Sequence, residues 1–250
     1  MCGVGELELG LVLLVLVSYA GGENYCARGL CPKGITHIGC KNNGSFGSSC
    51  PTNATLIKLT QKDKDSTVQI HNALRNKWAS GQGKIPRKAC KMGTIDWDEE
   101  LARLAELNVK SCQMEHDSCH NTQEFLQSGQ NLFMVGYFGS GDPVTVQDIL
   151  NEGFNEWTDE DVAVTEEDFN KFPDPVEGQE IGHFMVLINE KNVAVGCGIV
   201  SFYLDDIEYF LVACNYAVTN ILGRRVYSNC PEPGIQCPNG LDPKYTALCV

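Results

Sequence analysis

Five histidines and an excess of carboxylates are the residues of this chain best suited to acid–base or metal chemistry. His71 and Glu156 could in principle pair with a serine to hydrolyse a substrate. However, the chain has no G-x-S-x-G elbow and no H-E-x-x-H zinc-protease helix, and neither Ser201 nor Ser228 lies in a nucleophile motif. A metal-assisted hydrolase is therefore the least favoured of the alternatives, and we expect no enzymatic activity.

Metal binding is the other chemistry that these residue types suggest. Carboxylates crowd the segment 152–168, where a calcium site is the alternative to a solvated helix end and loop. The spacing does not match an EF-hand loop, and no glycine stands where that turn needs one. The chain also lacks the C-x-x-C pairs of a zinc ribbon. Surface or packing roles are expected for three histidines that lie near cysteines: His37, His116 and His120.

The protein that carries these residues is predicted to be secreted and held together by disulfide bonds. Leu9 to Val17 is apolar apart from Gly10, and small residues follow it. Residues 1–22 are therefore predicted to be a secretory signal peptide, which is too short to span a bilayer. Of the 13 cysteines, Cys2 leaves with this leader, and the twelve that remain at irregular spacing predict a disulfide framework.

Charge and glycosylation motifs are consistent with an extracellular location. The formal net charge is −13, or −11 once Glu6 and Glu8 leave with the leader. So acidic a surface repels nucleic acid and anionic lipid headgroups, and we expect neither as a partner. No later segment is long and apolar enough for an integral membrane segment. Asn43 and Asn53 begin N-x-S/T sequons and are predicted glycosylation sites on surface loops.

The hydrophobic pattern changes from helical to strand spacing along the chain. It predicts a first helix from Asp65-Ser66 to Trp78, a second that is capped by Asp96, and a third over 143–157. The last third of the chain predicts antiparallel strands that are separated by short turns. Helices first and strands last predict an α+β sandwich. The strands are expected at 184–188, 193–204 and 207–216.

Five motifs then make the chain recognisable. They resemble those of the CAP superfamily and are closest in pattern to the insect antigen-five branch. The resemblance spans essentially the whole mature chain and implies a disulfide-rich, three-layer α-β-α sandwich with an antiparallel sheet. In chain order the motifs are Asn24-Tyr25-Cys26, Ile70-His71-Asn72-Ala73-Leu74-Arg75, Gly129-Gln130-Asn131-Leu132, Gly182-His183-Phe184-Met185-Val186-Leu187-Ile188 and Cys214-Asn215-Tyr216.

The resemblance also implies how the chain divides. The leader, 1–22, is followed by a disulfide-held N-terminal loop segment, 23–60. The CAP domain is expected over 61–222, and a disulfide-closed C-terminal extension over 223–250. We expect the protein to act as a monomer.

In the CAP superfamily two histidines and two glutamates converge in a central cleft, and the resemblance implies which residues supply them here. By motif, His71 and His183 are the histidines and Glu156 is one carboxylate, while Gln130 stands in place of the second. Two imidazoles and one carboxylate can hold Zn²⁺ together with a water. Zinc is therefore a candidate ligand, although no cofactor is required. Since Gln130 is neutral, metal binding is expected to be weak, and that position cannot act as a general base.

Binding of a small hydrophobic molecule is the function that we prefer at this point. An aromatic, Met-containing stretch before the third helix is a candidate ligand groove, with core packing against the sheet as the alternative. The family resemblance suggests a sterol, a fatty acid or an eicosanoid, and the net charge favours a neutral sterol. The alternative is a secreted effector or allergen that acts by binding another extracellular protein. The groove residues are Leu132, Phe133, Met134, Tyr137 and Phe138.

The resemblance further implies four of the cysteine pairings. These are Cys26–Cys40, Cys31–Cys119, Cys50–Cys112 and Cys197–Cys214. Of the four cysteines that remain, Cys237 and Cys249 are expected to close the Pro-Asn-Gly loop near the C-terminus. That pairing leaves Cys90 to bond Cys230.

Overall fold

A computed structural model describes residues 23–138, 143–175 and 179–250. The predicted leader, 1–22, lies outside the described residues. Within them, no helix combines the length and the apolar composition needed to cross a membrane. In chain order the elements are β1 Thr55–Ile57, α1 Gln61–Ala79, β2 Asp96–Trp97, α2 Glu99–Val109, β3 Gly129–Phe138, α3 Val146–Asp159, α4 Glu166–Asn170, α5 Gly182–Leu187, β4 Ala194–Leu204 and β5 Ile207–Tyr216.

The sheet has the strand order β1-β4-β5-β3, and each of these neighbours is antiparallel. The short β2 adds a parallel pairing to the start of β4. The long β4 and β5 are joined by Asp205 and Asp206, whose φ angles of 48° and 66° are those of a tight two-residue hairpin turn. This turn lies where the sequence predicts one.

Helices cover both faces of the sheet, because successive strand residues point to opposite sides. On one face α2 packs against alternate residues of the strands, such as Leu132 and Val200. On the other face α3, α5 and part of α1 pack against the strand residues that point the opposite way, such as Phe133 and Ile199. The predicted three-layer α-β-α arrangement with an antiparallel sheet is confirmed.

Two glycines bring α2 into direct contact with β4. A Cβ placed on Gly196 would lie 2.2 Å from the backbone nitrogen of Ala102, and one on Gly198 would lie 2.6 Å from that of Glu106. Any side chain at either position would push the helix away from the sheet. Close packing of this layer therefore depends on glycine at both positions.

The alternation over 184–188 predicts a strand, and that prediction is wrong: the segment forms α5 and its C-terminal cap. Phe184 and the three residues after it are all buried, so no polar face marks the helical period. Buried Arg75, at the end of the His71 motif, donates to the carbonyl oxygens of Leu187 at 2.7 Å and Asn189 at 2.9 Å. These bonds satisfy carbonyls at the helix C-terminus and join α5 to α1.

Helix starts differ from prediction by a few residues. In α1 the cap is Thr60, which forms a capping box with Asp63, rather than Asp65-Ser66. In α2 the cap is Asp98 instead of Asp96, which belongs to β2. In α3 the cap is Thr145 rather than a proline start at residue 143. In each case a polar capping residue outside the apolar stripe sets the boundary.

All twelve cysteines of the described chain are disulfide-bonded, in the six pairs expected from the resemblance and the remaining cysteines. Cys197 and Cys214 lie directly opposite each other on β4 and β5. Cys31–Cys119 and Cys50–Cys112 fasten the N-terminal loop segment to the region that follows α2. The other bridges are Cys26–Cys40, Cys90–Cys230 and Cys237–Cys249.

Candidate ligand-binding cleft

A cleft of about 610 Å³ opens beside the N-terminus of α5. Four parts of the chain form its walls: the region after α2, the start of β3, the segment between α4 and α5, and the segment after β5. We call it the cleft. Its described lining includes His116, Gln130, Asn131, Asp168, Phe172, Pro173, Asp174, Pro175, Gln179, Glu180, Ile181, Gly182, His183, Val186, Thr219 and Asn220.

His183 lies at the start of α5, and two asparagines hold the backbone there. Asn131 donates to the His183 carbonyl at 3.2 Å, and Asn220 donates to that of Gly182 at 2.8 Å. The ring Nδ1 lies 2.5 Å from Glu160 Oε1, while Glu160 Oε2 accepts the backbone N–H of Phe184 at 2.9 Å. Because a carboxylate oxygen accepts, Nδ1 carries the proton. The Nε2 atom of His183 has no hydrogen-bond partner among the described residues.

His116 is held in the same tautomer by a neutral partner. Its Nδ1 donates to Gln130 Oε1 at 2.8 Å. The amide of Gln130 is oriented by its own donations, to Asp117 Oδ2 at 2.8 Å and Asn215 Oδ1 at 2.9 Å. With Nδ1–H used in this way, the Nε2 lone pair of His116 is left available for a ligand.

Asp117 is the charged group behind this arrangement. It accepts from His120 Nδ1 at 2.9 Å and from Asn108 Nδ2 at 3.3 Å, in addition to Gln130. Burial raises the pKa of Asp117, but the hydrogen bond and charge of His120 and the amide donors outweigh it, so the pKa lies below its ordinary value. Asp117 is therefore ionised near neutral pH and keeps the Gln130 amide nitrogen turned towards it.

The rim of the cleft carries negative charge. Asp168, Asp174 and Glu180 all contribute to the lining, and no lysine or arginine does so among the described residues. The lining also includes apolar side chains, among them Phe172 and Ile181. The cleft thus combines apolar surface with a few placed polar groups, which is the usual composition of a small-molecule site.

Two residues assigned to the site from sequence lie elsewhere, so that part of the prediction is wrong. His71 is 1% exposed beneath the sheet, with Nδ1 at 2.7 Å from the Thr67 carbonyl and Nε2 at 3.1 Å from the Tyr216 hydroxyl. Burial lowers its pKa to about 4, which the Thr67 carbonyl opposes and the charge of Arg75 assists. Glu156 is exposed on α3. His71 therefore has a structural role.

The carboxylate that contacts His183 is Glu160, about one helical turn beyond the predicted Glu156. In the structure the buried tryptophan of α3 is Trp157, which donates to the Leu132 carbonyl at 2.9 Å. A shift of one helical turn moves the carboxylate from Glu156 to Glu160. The two retained predictions, His183 and Gln130, do line the cleft.

His116 was missed because its surroundings look like a surface loop. It lies close to Cys112 and Cys119, and both of these cysteines bond to the N-terminal loop segment. These bonds bring the region after α2 onto the sheet beside Gln130. The only signal available in the sequence was a histidine next to an acidic residue between two cysteines.

The predicted ligand groove is not a groove in the structure. Its residues belong to β3, whose side chains alternate between the two faces of the sheet. Leu132 packs on the α2 side and Phe133 on the α3 side, while Phe138 is 76% exposed at the far end of the strand. Tyr137 donates to Glu152, and Met134 is exposed. None of the five lines the cleft.

The residues around the cleft fit a divalent cation. Glu160, Glu180 and His183 have ligand atoms within 4.8 Å of one another. Since Glu160 is bonded to Nδ1 of His183, it acts as the partner that orients this imidazole. His183, Glu180 and, on its oxygen that does not bond Nδ1, Glu160 are then the candidate donors for an ion. A second cluster, Cys31, Cys119 and His37, cannot bind a metal through sulfur because the two cysteines form a disulfide.

Comparisons with known proteins agree with this architecture. The family model described as "Cysteine-rich secretory protein family", CAP, matches residues 68–216. The chain is 33% identical to Venom allergen-1 of Aedes albopictus, over 96% of this chain and 93% of that protein. It is 36% identical to "Antigen 5 like allergen Cul n 1" of Culicoides nubeculosus, over 76% and 89%.

A solved structure, "Crystal structure of NaASP2 with Zn2+", has the same fold. It matches with a TM-score of 0.63 and 24% identity, over 80% of this chain and 100% of that chain. The chain therefore belongs to the cysteine-rich secretory protein (CAP) family, and its curated relatives place it on the antigen 5 branch.

Proposed function

We propose that this chain is a secreted, non-enzymatic antigen 5-like protein that binds a neutral hydrophobic small molecule in the cleft. Secretion is supported by the predicted leader, by six disulfides and by relatives that are named as venom allergens. The observation that carries the binding proposal is the cleft itself. Its volume of about 610 Å³ lies within the range of small-molecule sites.

The lining of the cleft indicates which chemical groups a ligand needs. Phe172, Ile181 and Val186 can contact an apolar body. His116 and His183 each present a ring nitrogen without a protein partner among the described residues, and these nitrogens can accept a hydroxyl proton. A ligand with a rigid apolar frame and one hydroxyl matches this arrangement.

Electrostatics favours a neutral ligand over an anionic one. The rim carries Asp168, Asp174 and Glu180, and the whole chain has a net charge of −13. A fatty acid or eicosanoid carboxylate entering the cleft would be repelled. Sterols are therefore preferred to fatty acids and eicosanoids.

The cleft gives little support to hydrolysis. Thr219 has the one hydroxyl among the described lining residues, and none of these residues is a serine or cysteine. His116 is backed by the neutral Gln130 instead of a carboxylate. His183 and Glu160 form a histidine–carboxylate pair, but no nucleophile accompanies them among the lining residues.

A second candidate function is divalent-cation binding in the same cleft, which the Glu160, Glu180 and His183 cluster supports. The solved NaASP2 structure is described as one with Zn²⁺. In this chain His183, Glu180 and Glu160 would hold the ion, and the ion would supply positive charge to an acidic cleft. A ligand hydroxyl that uses the free ring nitrogen of His183 would compete with the ion for that residue.

A competition assay with labelled sterol and labelled fatty acid tests the main proposal. The test variant is Phe172→Asp, which places a charge on the apolar wall, and the matched control is Phe138→Asp on exposed β3. We expect sterol to bind the wild type and the control equally and the test variant much more weakly. Thermal unfolding of both variants checks that they fold.

Three outcomes would contradict the proposal. Binding that is lost in Phe138→Asp and kept in Phe172→Asp would move the site back to β3. Fatty acid that binds more tightly than sterol would overturn the electrostatic argument. If neither ligand binds at about 100 micromolar, which corresponds to less than about 5.5 kcal/mol of binding free energy, the small-molecule proposal fails. An effector that binds an extracellular protein would then take its place.

A further inference from the structure

A second cavity, of about 390 Å³, is surrounded by cations. It lies between the turn that follows α5 and the chain that follows β5. Lys191, Arg224 and Arg225 line it. Lys171 lies beside them, since its Cε is 3.9 Å from where a Cβ on Gly223 would be. We call this cavity and its four cations the basic pocket.

The basic pocket is a positively charged region in a protein whose net charge is negative. None of its described lining residues is a carboxylate, and none of the four cations forms an ion pair within the described part of the chain. The nearby Glu190 carboxylate accepts the backbone N–H of Ser228 at 3.0 Å. Four of the chain's 19 lysines and arginines thus face one small region without compensating charge, while the net charge is −13.

Backbone hydrogen bonds hold the frame of the pocket in place. The N–H of Thr219 donates to the carbonyl of Gln127 at 2.7 Å. The N–H of Gly223 donates to the carbonyl of Phe172 at 2.8 Å, and the N–H of Phe172 donates back to the carbonyl of Arg224 at the same distance. The loop that carries the two arginines is therefore tied to neighbouring segments on both sides. A ligand does not have to order this loop when it binds.

We propose that the basic pocket binds sulfate groups of an extracellular sulfated glycosaminoglycan. Guanidinium groups bind the oxygens of sulfate and phosphate in pairs of parallel hydrogen bonds, and lysine ammonium groups add charge. The cavity volume of about 390 Å³ can hold one sulfated sugar unit, and all four cations are exposed to a polymer that binds there. This binding goes beyond the proposed function, although the basic pocket adjoins the cleft and shares Phe172, Thr219 and Asn220 with it.

A flexible linear polyanion fits this surface better than an anionic membrane does. At physiological ionic strength the Debye length is about 8 Å, so only the nearest charges matter to a chain that touches the pocket alone. A flat bilayer would also face the acidic surface around the pocket, including the rim residues Asp168 and Asp174. Repulsion from that surface opposes membrane binding.

The test uses a heparin oligosaccharide as the probe, at about 0.15 M NaCl, where the protein's long-range charge is screened. The test variant is Arg224→Ala/Arg225→Ala. The matched control is Arg28→Ala/Lys33→Ala, which removes two exposed cations from the N-terminal loop segment and changes the net charge equally. All four positions are exposed, so both variants are expected to fold.

We expect wild type and control to bind with affinities that agree within about twofold, and the test variant to bind about tenfold more weakly. Arg224→Lys/Arg225→Lys should retain part of the affinity, and desulfated heparin should not bind. Absence of wild-type binding at this salt concentration overturns the proposal. So does an equal loss in test variant and control, or tighter binding to phosphatidylserine vesicles than to heparin.

Discussion

Replacing Gln130 by glutamate restores the carboxylate that is usual in the family, yet we expect it to destabilise this protein. In the wild type, Gln130 Nε2 donates to Asp117 Oδ2 at 2.8 Å and to Asn215 Oδ1 at 2.9 Å. A glutamate puts an oxygen where that donor was, so three acceptors meet without a proton between them. The site accepts glutamine because Asp117 already supplies the negative charge.

The size of the effect follows from two contributions. Loss of a donor from two buried acceptors costs about 1–3 kcal/mol. Two unit charges about 4 Å apart at an effective dielectric constant of 20 repel by about 4 kcal/mol, and rotation of the new side chain towards the cleft relieves part of this. We therefore expect Gln130→Glu to lower the free energy of unfolding by about 2–4 kcal/mol at pH 7.

The destabilisation by Gln130→Glu is expected to depend on pH. The pKa of the introduced glutamate in the folded variant is expected above its unfolded value of about 4.3, because Asp117 disfavours its charged form. The cost is therefore absent when the pH is below the unfolded pKa, and it develops as the pH rises through the folded pKa. Urea unfolding with intact disulfides, at pH 7 and at pH values down to about 4, measures the difference between variant and wild type.

Gln123→Glu is the matched control, since Gln123 is an exposed glutamine on the segment that leads into β3. It undergoes the same chemical change without a facing carboxylate, and its stability is expected within about 0.5 kcal/mol of the wild type. Gln130→Glu that is as stable as the wild type at pH 7 would show that Asp117 does not face this position. So would a deficit that fails to shrink as the pH falls.

Three further predictions concern contacts elsewhere in the fold. Arg75→Met should lower the free energy of unfolding by about 3–5 kcal/mol in urea, because it leaves the backbone carbonyls of Gly93 and Leu187 without a donor; an unchanged midpoint would contradict this. Since the folded pKa of His71 is about 4, its contribution to stability is fully present above about pH 6.5 and is lost as the pH falls towards 4. His71→Gln should therefore flatten the acid side of a stability-against-pH curve, and an unaltered slope would refute the assignment. Asn53→Gln should lower the melting temperature, because the Asn53 side chain accepts from the backbone N–H of Tyr203 and donates to its carbonyl. Asn43→Gln is the control and should leave the melting temperature unchanged. Equal melting temperatures for the two variants would contradict this prediction.

Much of the architecture is readable from the sequence, because motif order and cysteine spacing are properties of the chain. Cys197 and Cys214 have the spacing of two strands joined by the Asp205-Asp206 turn, and the structure places them opposite each other. The identity of α5 was not readable. Its residues are apolar on every side, and its C-terminus is capped by Arg75, more than 100 residues earlier in the chain.

The site was predicted in part for a related reason. Gln130 and His183 occupy motif positions whose backbone enters the cleft. His71 also lies in a motif, but its ring is used by Thr67 and Tyr216, and only packing reveals that. His116 reaches the cleft through disulfides between distant segments, and pairwise proximity of this kind leaves no local pattern in the sequence.

The central claim is that His116 and His183, rather than His71, present free ring nitrogens to the binding cleft. Nitrogen-15 NMR of histidine-labelled protein, recorded before and during addition of Zn²⁺, tests this directly for all five histidines. Before addition, both His116 and His183 should carry the proton on Nδ1. On addition of Zn²⁺, the ring signals of His183 should shift while the signals of His71 stay in place. A Zn²⁺-dependent shift of His71, or no shift of His183, would contradict the account.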